Sequence, residues 1–150
     1  MFNGRETQYS IEIIESTGFW GNIKVGDFQR ERAIPIQISA ALAKSALVYA
    51  MQSIELDLAE VANQYRARGI QSVAEVEGDQ IDQENYLRWL YKKAVFARAK
   101  NELLPEFATL SSRELHEKRD IIAEQKQLLS EATMAIRAIK GKRRGGVHLI

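Results

Sequence analysis

Cysteine is absent from this 150-residue chain, and only two prolines and nine glycines interrupt it. Without cysteine, a disulfide framework and a thiolate metal site are excluded. So few helix-breaking residues disfavour a many-stranded barrel and favour long helices. No apolar run approaches the roughly 20 residues of a membrane span, and the first residues lack the basic-then-apolar order of a signal peptide. With 45% apolar residues, we expect one compact domain outside membranes.

Positive and negative charges nearly balance over the whole chain but are separated along it. Residues 137–150 contain five basic side chains and no acidic one, whereas residues 75–84 contain five acidic side chains and no basic one. Such a layout is typical of a protein that meets a charged partner or further copies of itself. The alternative is that both segments are ordinary solvated surface.

The strongest periodicity lies between Ser39 and Arg68 and predicts one long helix that ends at Gly69. One apolar stripe predicts a face buried within the subunit and consists of Leu47, Met51, Ile54, Leu58, Val61 and Tyr65. A second stripe lies about 140° around the helix and consists of Leu42, Ala46, Tyr49, Ser53 and Leu56. Two stripes need two partners, so we expect the second to meet another helix or a neighbouring copy.

An acidic loop, residues 70–81, leads to a second long helix and is expected to be held by apolar anchors. Asp82 is the predicted N-cap of that helix, with Ile81 packing onto Tyr86 as a hydrophobic staple. Pro105 is expected to end the helix in the preceding turn, because the residue before a proline avoids the helical region. The loop anchors are Ile70, Val73 and Val76, and the helix core face is Leu87, Leu90, Tyr91, Ala94 and Ala97.

A capping box at Ser111 and Glu114, with a staple between Leu110 and Leu115, predicts the start of a third long helix that Gly141 ends. Its broad face consists of Ile121, Ile122, Gln125, Leu128, Leu129, Ala132, Ala135, Ile136 and Ile139. The two longest predicted helices would each span about 40 to 45 Å. A sphere of this chain length is only about 40 Å across, so the expected bundle is elongated.

Signals in the first 35 residues are weaker. Apolar and polar residues alternate from Tyr9 to Ile14, with Ile11 and Ile13 on the apolar face, which predicts a short half-buried strand or extended arm. Residues 24–32 predict a short helix. The expected fold is therefore all-α: an elongated bundle of three long helices and one short N-terminal helix. Within one domain we assign an N-terminal arm to residues 1–35, the bundle to 36–141 and an extended tail to 142–150.

Residue types that carry catalysis or bind cofactors are few and scattered. His148 lies in the tail, and His116 precedes Asp120 by one helical turn without the second histidine of a zinc-protease motif. The adjacent Gly145 and Gly146 follow the last helix rather than a strand, so they do not form a phosphate-binding loop. We predict no enzymatic activity, no metal and no cofactor.

The C-terminal segment combines a basic run with an apolar end. The basic residues are spaced to contact phosphates without reading bases or to stabilise the C-terminal dipole of the last helix, and they are Lys140, Lys142, Arg143 and Arg144. The six residues after them are expected to extend and to add a strand to a partner's sheet edge. They are Gly145, Gly146, Val147, His148, Leu149 and Ile150.

Four runs stand in a characteristic order and spacing: Ile81-Asp82-Gln83-Glu84, Tyr91-Lys92-Lys93-Ala94-Val95, Ile136 to Arg143, and Val147 to Ile150. In this order the chain resembles the head completion protein, or gene product L, family of contractile-tailed temperate phages. The resemblance covers about residues 70–150 and is looser over the first 35 residues. Gln83 replaces a residue that is commonly glycine in the family, and Lys93 replaces a common arginine.

The resemblance implies a small helical connector that forms a ring, usually a dodecamer, beneath the portal after DNA is packaged. It implies a place in the virion neck, after assembly in the host cytoplasm, where the ring prevents DNA leakage and prepares the vertex for the tail. The implied partners are the portal protein, further copies and a neck or tail protein, with non-specific contact to packaged DNA and no membrane.

The spare apolar stripe and the tail then receive separate roles. We predict contacts between subunits at Leu42, Tyr49 and Leu56, and portal binding by residues 140–150. The alternative function is that of a small helical protein that binds nucleic acid through its basic end. Its affinity for DNA would fall steeply with added salt.

Overall fold

The computed structural model describes residues 9–110 and 115–141, and five α-helices and two β-hairpins occur in them. The helices are α1 (Val25–Glu31), α2 (Ala40–Asp57), α3 (Ala59–Ala67), α4 (Tyr86–Leu110) and α5 (Leu115–Ile139). The strands are β1 (Ile13–Ile14), β2 (Ile23–Lys24), β3 (Gln80–Ile81) and β4 (Glu84–Asn85). The chain is thus mostly helical but not purely all-α. The sequence did not predict β3 and β4, because two-residue strands are too short to show the alternation of longer ones.

Aromatic side chains join the N-terminal section to α4. The ring of Phe19 meets Trp20 edge-on at 5.1 Å between centroids, and Trp20 stacks on Tyr91 at 5.3 Å. Phe28 of α1 packs against Phe96 of α4 at 5.4 Å. All five rings are buried, so this section forms part of the main hydrophobic core.

The register of the first hairpin decides which side of residues 9–14 points inward. β1 and β2 are antiparallel, with Ile14 opposite Ile23. Both of these side chains are buried, whereas Ile11 is 97% exposed and Ile13 is 48% exposed. The apolar face predicted from alternation is therefore wrong, because pairing with β2 selects the opposite face.

Helix α1 confirms the short helix predicted within residues 24–32. It also makes close contacts with residues 10–12, which precede β1. A Cβ atom at Gly26 would overlap the backbone carbonyl oxygen of Ser10, so only glycine allows this close approach. The Ser10 N–H donates to Oε1 of the buried Gln29 at 2.7 Å. The Val25 N–H donates to the Glu12 carbonyl oxygen at 3.0 Å.

The long helix predicted from Ser39 begins correctly but is divided at Leu58. The Ser39 hydroxyl accepts the Leu42 N–H at 3.1 Å, and Gly69, with φ +86°, follows the end of α3. Leu58 has ψ 9°, which separates α2 from α3. We attribute the break to different packing partners, because α2 packs on α4 whereas Tyr65 of α3 stacks on Phe19. The buried first stripe is confirmed: Leu47, Met51, Ile54 and Leu58 are buried, and Val61 and Tyr65 pack against the core.

The second hairpin occupies the place where a helix N-cap was predicted. Asp82 and Gln83 both have positive φ and form the turn between β3 and β4. Helix α4 starts after them, and Oδ1 of Asn85 accepts the Leu87 N–H at 2.7 Å. The Nδ2 of the buried Asn85 also donates to the Val76 carbonyl oxygen at 2.6 Å. Asp82 is therefore not the cap. Because α4 begins at Tyr86, this residue is not at the fourth helical position that the predicted staple with Ile81 requires. The predicted loop anchors Val73 and Val76 are buried, and Ile70 packs against the core.

Helix α4 continues through Pro105 to Leu110, so the predicted stop at the proline is wrong. A proline inside a helix costs about 3 kcal/mol. The adjacent Leu103 and Leu104 are buried, and each contributes roughly 1.5 to 3 kcal/mol by leaving water. That burial offsets the lost hydrogen bond and keeps the chain helical.

Helix α4 packs against α2 and against α5. Its contact with α5 includes a small apolar cluster formed by Ala97, Leu104, Leu128 and Ala132, and an ion pair of 3.2 Å between Lys100 and Glu124. The predicted inner face of α5 is confirmed for Leu128, Ala132, Ala135, Ile136 and Ile139, which are buried. Ile122 and Leu129 of that predicted face are exposed at 63% and 46%.

The end of α5 agrees with the sequence, since Gly141 has φ +77° directly after the last turn. The predicted capping residues Ser111 and Glu114 lie outside the described residues. Among the helices that are described, none is long and apolar enough to span a membrane.

Candidate interaction surfaces

Apolar side chains of α2 form the first exposed surface. Leu42, Val48, Tyr49 and Leu56 are 42%, 45%, 68% and 68% exposed. Leu42, Val48 and Tyr49 line a groove of about 820 Å³ between α2 and α4, whose other wall carries Glu102, Leu103 and Glu106. We call Leu42, Val48, Tyr49 and Leu56 the α2 face. It contains all three residues predicted to contact a neighbouring subunit.

The remaining members of the predicted second stripe do not belong to this surface. Ala46 is buried, and the Ser53 hydroxyl accepts a hydrogen bond of 2.7 Å from Nη1 of Arg98 on α4. Arg98 also pairs with Asp57 at 3.0 Å. Within the second stripe, therefore, Leu42, Tyr49 and Leu56 are free for another molecule, while Ala46 and Ser53 are used inside the subunit.

A second exposed surface lies where the β3–β4 hairpin, α4 and α5 meet. Two grooves of about 420 and 560 Å³ share Leu90, Lys93 and Glu131 in their linings and therefore adjoin each other. We call the combined surface the α4–α5 groove, lined principally by Ile81, Tyr86, Trp89, Leu90, Lys93 and Met134. Ile81, Tyr86 and Met134 are 48%, 47% and 41% exposed. The Trp89 Nε1–H donates to the Ile81 carbonyl oxygen at 2.8 Å, which ties the helix to the hairpin.

Sequence reasoning missed the α4–α5 groove. Tyr86, Trp89 and Lys93 follow an i, i+3, i+7 spacing that places them on one side of α4. This outward stripe was the available signal. It was hidden because Tyr86 was assigned to a staple and Lys93 only to a family motif.

An ion pair between Arg32, at the end of α1, and Glu131 of α5 forms part of the wall of this groove. Arg32 donates from Nη1 to Oε1 of Glu131 at 3.0 Å and from Nη2 to its other oxygen, and it also reaches the Lys93 carbonyl oxygen at 3.4 Å. The hydrogen bonds from Arg32 hold the pKa of Glu131 below its ordinary value. Both side chains are partly exposed, so the pair supports the groove wall while it still meets solvent.

A further titratable contact joins the buried Tyr91 to Glu55. The Tyr91 hydroxyl donates to Oε2 of Glu55 at 2.9 Å. Burial and the neighbouring Glu55 carboxylate raise the pKa of Tyr91 above its ordinary value of 10.0. The phenol therefore stays protonated and serves as a hydrogen-bond donor between α4 and α2.

The predicted portal-binding segment is described only at its beginning. Lys140 is exposed and lines a shallow basic depression with Arg98, Arg137 and Asp57. The other predicted residues, Lys142, Arg143, Arg144, Gly145, Gly146, Val147, His148, Leu149 and Ile150, lie outside the described residues. The side chains of His116 and Asp120 lie outside them as well. In the side chains that are described, no cluster of metal-ligand residues occurs.

Exposed apolar surfaces on two sides of a mostly helical subunit are characteristic of a protein that assembles with other proteins. The model of the family described as phage head completion protein (GPL) matches residues 14–150. A probable head completion/stabilization protein of Haemophilus phage HP1 (strain HP1c1) is 56% identical over 150 residues, which is the whole of both chains. This chain therefore belongs to the phage head completion protein family. No solved structure is significantly similar to it.

The match confirms the resemblance of residues 70–150 and extends it into the N-terminal section. Family membership makes the chain a head completion protein and a component of the virion. The family match does not favour the alternative function, that of a small helical protein that binds nucleic acid through its basic end.

Proposed function

We propose that this protein forms a ring beneath the portal after DNA packaging, stabilises the filled head and provides the surface that the tail joins. The observation that carries the proposal is the α2 face, whose apolar side chains are exposed in a single copy. Exposed apolar patches of this kind mark protein–protein contacts. In a ring, burial of that face against the next copy would supply the driving force for assembly.

The subunit contact is tested by placing two charges on the α2 face. Replacement of Leu42→Glu together with Leu56→Glu should leave a folded monomer, because both side chains are exposed and burying two carboxylates at an interface is unfavourable. Light scattering after size-exclusion chromatography measures the mass, and circular dichroism checks the helix content.

The matched control carries Ile11→Glu and Ile122→Glu, two apolar residues that are 97% and 63% exposed and line neither groove. It should assemble like the unchanged protein. Normal ring assembly by the Leu42/Leu56 variant would refute the proposed contact.

The C-terminal segment is the proposed portal ligand. Gly141 adopts a positive φ and α5 ends before it, with the exposed Lys140 at the helix end. Chain that follows such a C-cap departs from the helix direction, which suits a segment that reaches another protein. The terminal hexapeptide would then add a strand to a sheet edge of the portal.

Deletion of residues 145–150 separates this role from folding. The truncated protein should show unchanged circular dichroism and no binding to purified portal, measured by negative-stain electron microscopy of the mixture. In a second variant, Lys142, Arg143 and Arg144 are changed to Ala. This variant tests whether the basic charge alone is responsible for portal binding. Normal portal binding by the truncated protein would rule out strand addition.

A further inference from the structure

We propose that neighbouring copies join by docking the α2 face of one copy into the α4–α5 groove of the next. The inference rests on the proposed ring and deepens it, because it names both halves of the contact. The occupant of the groove is thus a second copy of this chain.

A ring of more than two copies requires two different surfaces on every subunit. If the α2 face met only itself, the contact would have two-fold symmetry and would stop at a dimer. A head-to-tail contact between unlike surfaces continues around a ring. Since α4 packs against α2 and also against α5, the two exposed surfaces are built on different sides of the same helix.

The apolar content of the two surfaces suits them to burial against each other. On the α2 face, Tyr49 and Leu56 are each 68% exposed. The α4–α5 groove is concave and combines Trp89 with the half-exposed Ile81, Tyr86 and Met134. Aromatic residues and methionine are enriched at the centres of protein interfaces.

In the part of the chain that the structure describes, the charged side chains without an ion pair are acidic on the α2 side and of both signs in the groove. On the α2 side, Glu102 and Glu106 are exposed and form no ion pair within the described residues, while Lys44 is paired with Glu12. In the groove, Arg32 is paired with Glu131 and Lys92 with Glu84, which leaves Lys93 and Glu31.

Lys93 and Glu31 do not occupy the groove equally. Glu31 lines only the part beside the hairpin, whereas Lys93 also lines the part that contains Met134. In that part, Lys93 is the basic side chain without an ion pair in the described residues, and its nearest acidic neighbour there, Glu131, is already paired with Arg32. We therefore place the acidic rim of one copy, Glu102 and Glu106, beside Lys93 of the next.

Cysteine cross-linking tests the pairing directly, because the natural chain contains no cysteine. Three proteins are made: Tyr49→Cys, Met134→Cys and the double variant. After treatment with a short bismaleimide, neither single variant should form a covalent dimer alone. Their mixture should form a dimer, and the double variant should form a ladder of higher oligomers.

The outcomes separate the pairing from the ring. Covalent dimers of Tyr49→Cys alone would indicate α2 against α2 and overturn the inference. Rings seen by light scattering without cross-links in the mixture would also overturn it, while leaving the proposed function standing. A protein that remains monomeric at every concentration, and also when it is bound to portal, would overturn both the proposed pairing and the proposed ring.

Charge exchange gives a second, independent readout. Lys93→Glu, or Glu102→Lys with Glu106→Lys, should each weaken assembly about tenfold, and all three changes in one chain should restore it. Lys126→Glu, an exposed basic residue of α5 outside the groove, is the control and should have no effect. A triple variant that assembles no better than its components would contradict the pairing of Lys93 with the acidic rim.

Discussion

Two residues in the turn between β3 and β4 hold the backbone in the left-handed region. Asp82 has φ +52° and Gln83 has φ +66°. A two-residue hairpin turn with positive φ at both positions favours Asn or Asp first and Gly second. Asp tolerates this conformation, whereas an ordinary side chain costs about 1 to 2 kcal/mol there. Glycine would adopt this conformation at position 83 without that steric cost.

Replacement of Gln83→Gly is expected to stabilise the protein by about 1 kcal/mol, because it removes the steric cost of the left-handed conformation. Thermal unfolding followed by circular dichroism measures the change. Asp82→Gly is the matched variant and should gain less, since aspartate already accepts the conformation. Equal gains at both positions would show that Asp82 is strained as much as Gln83 and would contradict this explanation.

At the scale of elements, α4 makes contacts with α2, with α5 and with the N-terminal section. Tyr91 reaches α2 through Glu55, Lys100 reaches α5 through Glu124, and Arg88 donates to the Trp20 carbonyl oxygen at 2.8 Å. Arg88 also donates to the carbonyl oxygen of Asn22, which ties the first hairpin to the same helix. These contacts all lie before Pro105, which removes one backbone donor, and the helix nevertheless continues beyond it to Leu110.

Replacement of Pro105→Ala should stabilise the folded protein by about 1 to 3 kcal/mol, because alanine restores the missing N–H and has the highest helix propensity. Proline is exposed here, so the change leaves no cavity. Urea unfolding at low protein concentration measures the difference. Lys126→Ala on α5 is the control for placing alanine at an exposed helical site and should change stability by less than about 0.5 kcal/mol. A destabilised Pro105→Ala protein would mean that the proline sets a bend on which packing depends.

For the molecule as a whole, Arg32 and Glu131 connect α1 to α5 across 99 positions of sequence. Glu131 has a lowered pKa in the folded state, mainly through the hydrogen bonds from Arg32. A carboxyl group of this kind contributes stability above its ordinary pKa and loses that contribution as the pH falls through the lower folded value. The connection is therefore complete at neutral pH and weakens in acid.

Glu131→Gln should lower stability by about 1 kcal/mol at pH 7, a value reduced for partial exposure of the pair. The difference from the unchanged protein should shrink as the pH falls below 4.5, the ordinary value for this carboxyl group. Urea unfolding at a series of pH values measures it. Glu124→Gln, in the more exposed pair with Lys100, should have a smaller effect at pH 7. A constant difference over the whole pH range would assign the effect to packing instead.

Sequence alone determined the existence of the helices, their inner faces and several of their ends. The burial of Leu47 and Ile54, the Ser39 cap and the stop at Gly141 all follow from periodicity and capping. These signals are local, since residues within one or two turns of each other produce them.

Only the tertiary structure decided which local preference was overridden and which apolar residues stayed uncovered. Leu58 interrupts a regular stripe, and Pro105 fails to interrupt one, because distant packing partners outweigh local propensity. Likewise, Ile81, Trp89 and Met134 form one groove because folding brings separate elements together. A linear pattern reports the period of each element and not its neighbours, so the second surface required the folded chain.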